Sequence, residues 1–399
     1  MARFHSPTLA VLLTMTSGLV LPVQAQEVVN IGIIQPLSGP NAQFGTNALH
    51  GSEMVVEAIN AAGGIKSMGG AKVQLVVADV PSPNAAPAAT QRLVSQNEVA
   101  GVVGAFISSI TLSASEITER AGVPLITFAF ADQITERGYD YVFQVTPKGS
   151  TFGKDQLGYT VAIGEAAGTE IDKIAILYED TAYGTAQAAG LRAEAEARGI
   201  EIVMDEAYPL GITDASALVN KLRASDAEVV FPVSYLNDSL LIIRTMRQQG
   251  LTIPAIGGAA GYVIPNFKEG LGDLAENTLS VASAAGDAIP EISAAYQQKY
   301  GSFMTHEAVA FAAATDAMIQ AIEIAGTDDP DAVRDALDAL EYCEGFAKGM
   351  PGGCINFDEN GHNAVTYPIM VQWRGDEPVT VYPPSDATTD PIWTLEPTQ

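Results

Sequence analysis

The chain has 399 residues, of which 47% are hydrophobic and 17% charged, and 20 Lys and Arg against 47 Asp and Glu give a formal net charge of −27. This much apolar material excludes a disordered chain, and the length exceeds one compact core, so we expect two domains. The negative charge repels nucleic-acid phosphates and anionic lipid headgroups, and no basic cluster offsets it, so nucleic acid and membrane surfaces are excluded as partners.

The first 25 residues are predicted to form a secretory signal peptide. Arg3 precedes an interrupted apolar run, and Val23 and Ala25 supply small residues at the −3 and −1 positions of a cleavage site. The run falls short of the roughly 20 residues that a membrane span needs. No cysteine stands at the cleavage point, as a lipoprotein would require. We therefore expect an exported protein.

Strands and helices then alternate up to residue 256. Short β-branched runs predict buried strands, and each is followed by apolar residues at helical spacing. The first run of predicted elements comprises strands 28–34, 73–79, 99–105 and 124–128 and helices 48–62, 85–96 and 109–119. After Pro147 the pattern restarts with strands 173–178, 200–204, 228–232 and 253–256 and helices 152–167, 185–198, 215–224 and 236–249. Two such runs predict two lobes of parallel sheet with helices on both faces.

The last third of the chain breaks this alternation. It is predicted to contain three successive helices, 291–300, 307–325 and 330–340. A hairpin follows, in which strand 355–357 turns at Asn360-Gly361 and pairs with strand 367–373. Residues from about Asp376 onward are rich in Pro and Thr and are predicted to form a surface or frayed end.

The chain contains two cysteines, Cys343 and Cys354. In an exported protein an even number close in sequence predicts a disulfide, and the intervening loop is rich in Gly. A redox CxxC pair is absent, and no nearby His completes a metal site.

Two α/β lobes leave a cleft between them, and ligands of such sheets bind beyond the carboxyl ends of the strands. The loops expected there are 35–45, 105–109, 128–132, 179–184, 233–238 and 257–262. Candidate binding residues in or beside these loops are Phe44, Ser108, Ser109, Phe130, Tyr183, Tyr235 and Tyr262. Ser108 and Ser109 come where a strand meets a helix, so hydroxyls and free backbone N–H groups there are suited to a carboxylate. The alternative is that Ser108 only caps the helix.

Patterns that carry catalysis are missing. The nucleophile elbow GxSxG and the P-loop are absent, and Ala310 stands where a metalloprotease helix starting at His306 needs its second ligand. The glycine-rich stretch 257–261 lacks dinucleotide-binding spacing. We therefore expect neither an enzyme nor a cofactor or metal. An exported hydrolase would need a nucleophile and base pair, and the sequence nominates none.

Several long motifs resemble periplasmic leucine/isoleucine/valine-binding proteins. They are Gln35-Pro36-Leu37-Ser38-Gly39-Pro40, Gly104-Ala105-Phe106-Ile107-Ser108-Ser109, Tyr178-Glu179-Asp180-Thr181-Ala182-Tyr183-Gly184 and Ile355-Asn356-Phe357-Asp358-Glu359-Asn360-Gly361. The resemblance covers essentially the whole chain after the signal peptide. It implies a type I periplasmic binding protein: an α/β protein of two Rossmann-like parallel-sheet lobes joined by three hinge crossings. Lobe 1 would comprise 26–146 plus 284–355, and lobe 2 would comprise 147–283 plus 356–399.

The resemblance also implies a function. A periplasmic monomer would close its lobes on an amino acid or related small carboxylate and deliver it to the permease of an ATP-binding-cassette transporter. In this family the serine at the position of Ser108 holds the ligand carboxylate, and backbone groups at the positions of Ala129 and Ala131 hold carboxylate and ammonium. The aromatic residues at the positions of Phe44, Tyr183 and Tyr235 surround the ligand.

This chain departs from the family pattern at the ligand's ammonium group. Ala131 lacks the hydroxyl usual there, and 258–260 lacks the Glu that pairs with the ammonium. Either Asp132, Asp180 or Asp238 replaces that Glu, or the ligand is not a standard α-amino acid, because a buried ammonium without a counter-charge is costly. Phe128 and Phe130 suit a flat aromatic carboxylate or simply a smaller pocket. Binding of aromatic or other organic acids or amides, and a ligand-sensing role on the same fold, stay open.

Overall fold

The computed structural model describes residues 1–2 and 28–393, so the predicted signal peptide, apart from Met1 and Ala2, lies outside the described residues. The first lobe is built on a sheet of five parallel strands in the order β2-β1-β3-β4-β5. These are β1 (Val28–Gln35), β2 (Lys72–Asp79), β3 (Val99–Gly104), β4 (Leu125–Thr127) and β5 (Val142–Gln144). Every residue of the central β3 is buried, which is why its sequence is a continuous apolar run without alternation.

Four helices connect these strands. They are α1 (Ala42–Ala61), α2 (Ala86–Gln96), α3 (Ser108–Ala121) and α4 (Gln133–Glu136). The strand β5 and the helix α4 were not predicted from the sequence. Both are short, and their three or four residues carry too little periodicity to separate them from a loop.

The second lobe repeats the architecture. Its strands are β6 (Lys173–Glu179), β7 (Glu201–Tyr208), β8 (Val229–Val233) and β9 (Leu279–Ala282). Its helices are α5 (Gly149–Ala166), α6 (Ala182–Arg198), α7 (Ser216–Ala224), α8 (Leu236–Gln248) and α9 (Pro265–Leu271). The parallel order is β7-β6-β8. The strand predicted at 253–256 is wrong: only Ala255 forms a β-bridge, to Val230, and Gly257 forms a second one to Ser280.

The chain then returns to the first lobe through α10 (Pro290–Tyr300), α11 (His306–Ala325) and α12 (Pro330–Asp338). Helix α11 packs against α1 so closely that a Cβ atom at Gly51 would overlap the backbone oxygen of Ala308. Among the described residues, α11 is the one helix long and apolar enough to cross a membrane, and 78% of its apolar window is buried inside the protein. It is therefore a core helix of this lobe.

A two-stranded ribbon follows α12. Strands β10 (Glu341–Tyr342) and β11 (Ile355–Asn356) pair antiparallel, and the disulfide between Cys343 and Cys354 joins them. The predicted disulfide is therefore confirmed.

Strands β12 (Ile369–Arg374) and β13 (Glu377–Tyr382) belong to the second lobe, where they form an antiparallel sheet in the order β13-β12-β9. The predicted hairpin between 355–357 and 367–373 is therefore wrong. Asp358 and His362 close the turn around Asn360-Gly361, but β11 pairs with β10 and β12 pairs with β9 and β13. The stretch from Asp376 was predicted to form a surface or frayed end, and its residues 377–382 form the edge strand β13.

The chain passes between the lobes three times: between β5 and α5, between β9 and α10, and between β11 and β12. Two of these crossings are bonded to each other. The backbone N–H of Gln144 donates to Gly361 O at 2.8 Å, and that of Asn363 donates to Gln144 O at 2.9 Å. The Nε2 atom of His362 lies 3.1 Å from the backbone oxygen of Thr146. The segment up to Asn363 thus stays beside the first lobe.

Candidate functional site

Ser108 begins helix α3 and faces the loop that follows β4. Ile107, in extended conformation, is the N-cap residue, and its side chain makes no cap bond. The hydroxyl oxygen of Ser108 instead accepts the backbone N–H groups of Phe130 and Ala131, each at 3.2 Å. Ser108 is therefore not merely a helix cap, which was the alternative that the sequence left open. The first N–H groups of α3 have no carbonyl one turn earlier, which makes this helix end suited to an anion.

The two bonds to Ser108 fix what its hydroxyl can still do. A serine oxygen has two acceptor positions and one O–H donor. Both acceptor positions are used by Phe130 and Ala131, and within residues 28–393 no protein atom accepts the remaining O–H. A group that bonds to the Ser108 O–H must therefore present an acceptor atom, as a carboxylate oxygen does.

The loop after β4 is held rigidly. Ala129 donates its N–H to Thr127 Oγ1 at 3.1 Å, and its carbonyl accepts Gln144 Nε2 at 2.7 Å. The backbone oxygen of Phe130 accepts the N–H of Gly149, the first residue of α5, at 2.6 Å. This loop thus connects the two lobes as well as facing Ser108.

Aromatic rings from both lobes meet beside Ser108. In the first lobe Phe106 stacks on Phe44 at 4.4 Å and on Phe128 at 5.0 Å between ring centroids. Phe130 lies 4.7 Å from Phe128 and 5.8 Å from Tyr183 of the second lobe. The apolar runs that end β3 and β4 place these rings at the edge of the sheet.

The second lobe contributes Tyr183 and Tyr235. Their rings lie 5.3 Å apart, at the first turn of α6 and immediately before α8. The hydroxyl of Tyr183 donates to the backbone oxygen of Gly258. Burial raises the pKa of both tyrosines above its ordinary value, so both phenols are neutral hydrogen-bonding groups.

These residues line a cavity of about 10 Å³ between the lobes. Its lining residues are Phe106, Ser108, Phe128, Phe130, Tyr183, Tyr235 and Ala260. Four of the predicted binding residues, Ser108, Phe130, Tyr183 and Tyr235, are brought together here. The sequence reasoning did not select Phe106, Phe128 and Ala260 as site residues, although all three fall in loops expected at the cleft.

The other predicted residues lie around the cavity rather than on its wall. Phe44 backs Phe106, and Ser109 follows Ser108 in α3 with its backbone oxygen accepting Ser113 Oγ. Ala131 contributes the N–H that Ser108 accepts.

Asp238 and Tyr262 lie inside the second lobe. Asp238 Oδ2 accepts the N–H of Gly211 at 3.0 Å, and burial raises the pKa of this carboxyl. The hydroxyl of Tyr262 lies 2.6 Å from Ser234 Oγ, and its ring packs on Phe267. Neither lines the cavity.

Glu179 is a buried acid that the sequence reasoning did not select. It ends β6 and accepts three donors: the Thr181 N–H at 2.7 Å, the Thr181 hydroxyl at 2.9 Å and the Gly184 N–H at 2.7 Å. Burial raises its pKa. These bonds show that Glu179 closes the N-terminus of α6 and so positions Tyr183.

Behind the first-lobe rings lies a buried Ser–His–Glu group that the sequence did not reveal. His306 Nδ1 is 3.2 Å from Ser283 Oγ, and His306 Nε2 is 3.4 Å from Glu307 Oε2. Burial lowers the pKa of His306 to about 3, so its imidazole is a very weak base at neutral pH. The ring packs edge-on against Phe128 at 5.1 Å, and this group supports the rings. Within the described part of the chain, no three His, Cys, Asp or Glu residues are grouped as metal ligands.

Comparisons with known proteins identify the family and the fold. The protein family described as periplasmic binding protein matches residues 28–378. The Leu/Ile/Val-binding protein homolog 8 of Brucella melitensis is 33% identical over 375 residues, which span 90% of this chain and 91% of that protein. The branched-chain amino acid transporter substrate-binding protein LivJ of Streptococcus pneumoniae, solved in complex with isoleucine, is 25% identical with a TM-score of 0.76, covering 89% of this chain and 100% of its own. The leucine-binding protein LivK of Thermotoga maritima, at 21% identity, gives a TM-score of 0.78 and covers 90% of this chain and 99% of its own.

Proposed function

This chain belongs to the periplasmic binding protein family, and on that premise we propose that it captures an amino acid or related small carboxylate between its lobes. It delivers this ligand to the permease of an ATP-binding-cassette transporter. The observation that carries the proposal is the unused O–H of Ser108, which faces an interlobe cavity walled by rings of both lobes.

Ser108 is the proposed carboxylate-binding residue. Its O–H donates to one carboxylate oxygen, and the N–H groups at the start of α3, including that of Ser109, add the positive end of a helix. Ala131 and Ala129 act from the backbone by fixing the loop that positions Ser108. Charge-assisted bonds of this kind are stronger than bonds between neutral groups.

Aromatic rings of both lobes contact the rest of the ligand. Phe130 of the first lobe and Tyr183 and Tyr235 of the second are proposed to enclose the ligand body. Phe44 supports this wall from behind, while Asp238 and Tyr262 hold the second-lobe loops in place.

The proposed mechanism is hinge closure. A ligand that contacts Ser108 in one lobe and Tyr183 and Tyr235 in the other binds the closed arrangement better than an open one, and so shifts the population towards closure. The transporter distinguishes the closed form from the open form. Bonds between the crossings at Gln144, Gly361 and Asn363 limit the motion to a hinge.

The domain limits and location belong to the same proposal. The lobes comprise 26–146 plus 284–355 and 147–283 plus 356–399, with one adjustment: the segment up to Asn363 moves with the first lobe, because it is bonded to Gln144. The protein acts as a periplasmic monomer after removal of residues 1–25.

A thermal-shift screen of amino acids and small carboxylates tests the function. A ligand that binds only the folded state raises the melting temperature, by an amount that grows with its concentration relative to Kd. We expect at least one small carboxylate to do so, and expect the shift to shrink in Ser108→Ala. A screen in which no carboxylate raises the melting temperature would contradict the proposal.

A further inference from the structure

The cavity offers a carboxylate a donor, but it offers an ammonium group no acid. An α-amino acid carries three N–H donors on a positive charge, and burying that charge requires acceptors and a counter-charge. None of the residues that line the cavity is acidic. An ammonium group could still bind if an acid or a free backbone carbonyl lay just behind the residues that line the cavity.

Two backbone carbonyls of the cleft loops each accept one protein donor. The carbonyl of Ala129 accepts Gln144 Nε2 at 2.7 Å, and that of Gly258 accepts the hydroxyl of Tyr183. Both are neutral dipoles, so neither supplies the missing charge.

The three aspartates that the sequence offered as substitutes are placed elsewhere. Asp180 is exposed. Asp132 Oδ1 accepts the N–H of Ser150 at 3.0 Å, and Asp238 Oδ2 accepts the N–H of Gly211 at 3.0 Å. None of them lines the cavity, so none replaces the family's acid.

Glu179 lies closer, but its oxygens are occupied. They accept the N–H and hydroxyl of Thr181 and the N–H of Gly184. Glu179 does not line the cavity, whereas Tyr183 and Tyr235 do. Its negative charge is therefore stabilised by the start of α6 and not by a ligand.

The rest of the wall is aromatic on every side. Five of its seven residues are Phe106, Phe128, Phe130, Tyr183 and Tyr235. Aromatic pairs prefer offset-stacked or edge-to-face contact, which a planar ring can make with several of these walls at once. A saturated ring or a branched chain fills similar space without those contacts.

We infer that the ligand of this site is a small aromatic monocarboxylate without an α-ammonium group. The inference rests on the proposed capture of a carboxylate at Ser108 and narrows it to one chemical class. Such a ligand offers the Ser108 hydroxyl an acceptor oxygen and offers the aromatic rings a planar partner. It carries no positive charge, so it needs no acid on the cavity wall.

Isothermal titration of the full-length protein with matched probes tests the inference. Phenylacetate, L-phenylglycine and cyclohexylacetate share one skeleton: the second adds only the ammonium, and the third removes only planarity. We expect phenylacetate to bind about a hundredfold more tightly than L-phenylglycine and about tenfold more tightly than cyclohexylacetate. L-leucine and L-isoleucine are included as aliphatic amino acids and should bind more weakly than phenylacetate.

The outcomes separate this inference from the proposed function. If L-leucine, L-isoleucine or L-phenylglycine binds as tightly as phenylacetate, the site accepts an ammonium and the inference fails, while carboxylate capture stands. Equal binding of cyclohexylacetate overturns the aromatic preference alone. If none of these five carboxylates binds, the inference fails, and the thermal-shift screen across amino acids and small carboxylates decides the proposed function.

Two variants provide a second test of the aromatic preference. Phe130→Leu keeps an apolar side chain on the wall but removes one ring, and should bring the affinities for phenylacetate and cyclohexylacetate to within about threefold of each other. Phe357→Leu is the matched control, because Phe357 packs on Phe143 away from the cavity, and should keep the wild-type ratio. If Phe130→Leu does not fold, the ratios of probe affinities measured on the wild-type protein test the inference.

Discussion

The hydroxyl oxygen of Ser108 lies 3.2 Å from the backbone nitrogen of Ala131 and accepts its N–H. This bond joins the start of α3 to the loop after β4, 23 residues later in the chain. It also determines the chemistry of the site, because a serine whose acceptor positions are taken acts only as a donor. The same oxygen thus organises the loop and selects for a ligand oxygen.

Ser108→Ala removes both roles. We expect ligand affinity to fall by about 1.5–3 kcal/mol, the range for hydrogen bonds to charged groups. The loss of stability is about 1–3 kcal/mol, because the N–H groups of Phe130 and Ala131 are left buried without an acceptor. Titration calorimetry and urea unfolding measure the two effects. Ser113→Ala, whose hydroxyl bonds to Ser109 O within the same helix, should change affinity by less than about twofold. Unchanged affinity in Ser108→Ala would show that Ser108 only organises the loop.

Two tyrosine-to-phenylalanine variants separate a supporting hydroxyl from an aromatic wall. Tyr183→Phe leaves the buried carbonyl of Gly258 without its donor and should lower the free energy of unfolding by about 1–3 kcal/mol. Tyr235→Phe serves as its comparison, because the Tyr235 hydroxyl has no bonded partner in residues 28–393, and should change stability by less than about 0.5 kcal/mol. Urea unfolding of both variants without ligand measures this. Equal stability losses would argue against a specific role for the bond to Gly258.

Much of the architecture follows from local sequence patterns. Continuous apolar runs such as 99–104 become central parallel strands because both faces are covered by helices. The errors have a different origin. The turn at Asn360-Gly361 forms as its sequence predicts, but the partner of β12 is β9, almost ninety residues earlier. Turn residues specify a local bend, whereas strand partners are set by tertiary packing, which local patterns do not contain.

The site was predicted loop by loop but not side chain by side chain. The position of a loop at a strand's carboxyl end follows from topology, which is why Ser108 and Tyr183 were selected as candidates; both line the cavity. Whether a residue in such a loop faces the cavity or its own lobe depends on its bonding partners. Tyr262 bonds to Ser234 on another cleft loop and does not line the cavity, a contact that local sequence does not specify. Phe106 was passed over because an apolar residue at a strand end also fits the core.

Removal of the disulfide should affect stability without affecting binding. The bridge between Cys343 and Cys354 closes a loop with a sequence separation of 11, and its loss should cost roughly 2–3 kcal/mol in the chain-entropy model. Asp316 Oδ2 still holds the loop by accepting the Tyr342 hydroxyl at 2.9 Å and the Phe346 N–H at 3.1 Å. The cavity has no lining residue from this loop.

Cys343→Ser combined with Cys354→Ser, and separately the reduced wild-type protein, provide two independent measurements. Both should unfold at lower urea concentration than the oxidised protein, and both should keep ligand affinity within about twofold, because no binding residue moves. A large loss of affinity in both would show that the ribbon is coupled to the site.

His306 and Glu307 form a buried pair at the start of α11. They make the free energy of unfolding depend on pH in two opposing ways. Burial raises the pKa of Glu307 from 4.5 to about 7. Between these values the folded protein keeps a proton that the unfolded chain has released, so this group's contribution to stability falls as pH rises from 4.5 to 7. Burial lowers the pKa of His306 from 6.5 to about 3. The unfolded chain then takes up a proton that the folded protein does not, so the contribution of His306 falls as pH drops from 6.5 to 3.

Glu307→Gln isolates the first of these effects. The glutamine keeps the Oε1 acceptor that Asn47 Nδ2 contacts at 2.8 Å and removes only the titrating proton. The stability of the variant relative to wild type should therefore increase between pH 4.5 and pH 7, by roughly 1–3 kcal/mol, because each pKa unit corresponds to roughly 1.4 kcal/mol. The difference should level off towards pH 4, as Glu307 becomes protonated in the unfolded chain as well as in the folded protein. Urea unfolding of both proteins at several pH values between 4 and 8 measures it. A difference that does not change with pH would show that Glu307 is ionised in the folded protein, and that the start of α11 holds a charge which neither His306 nor Asn47 neutralises in this structure.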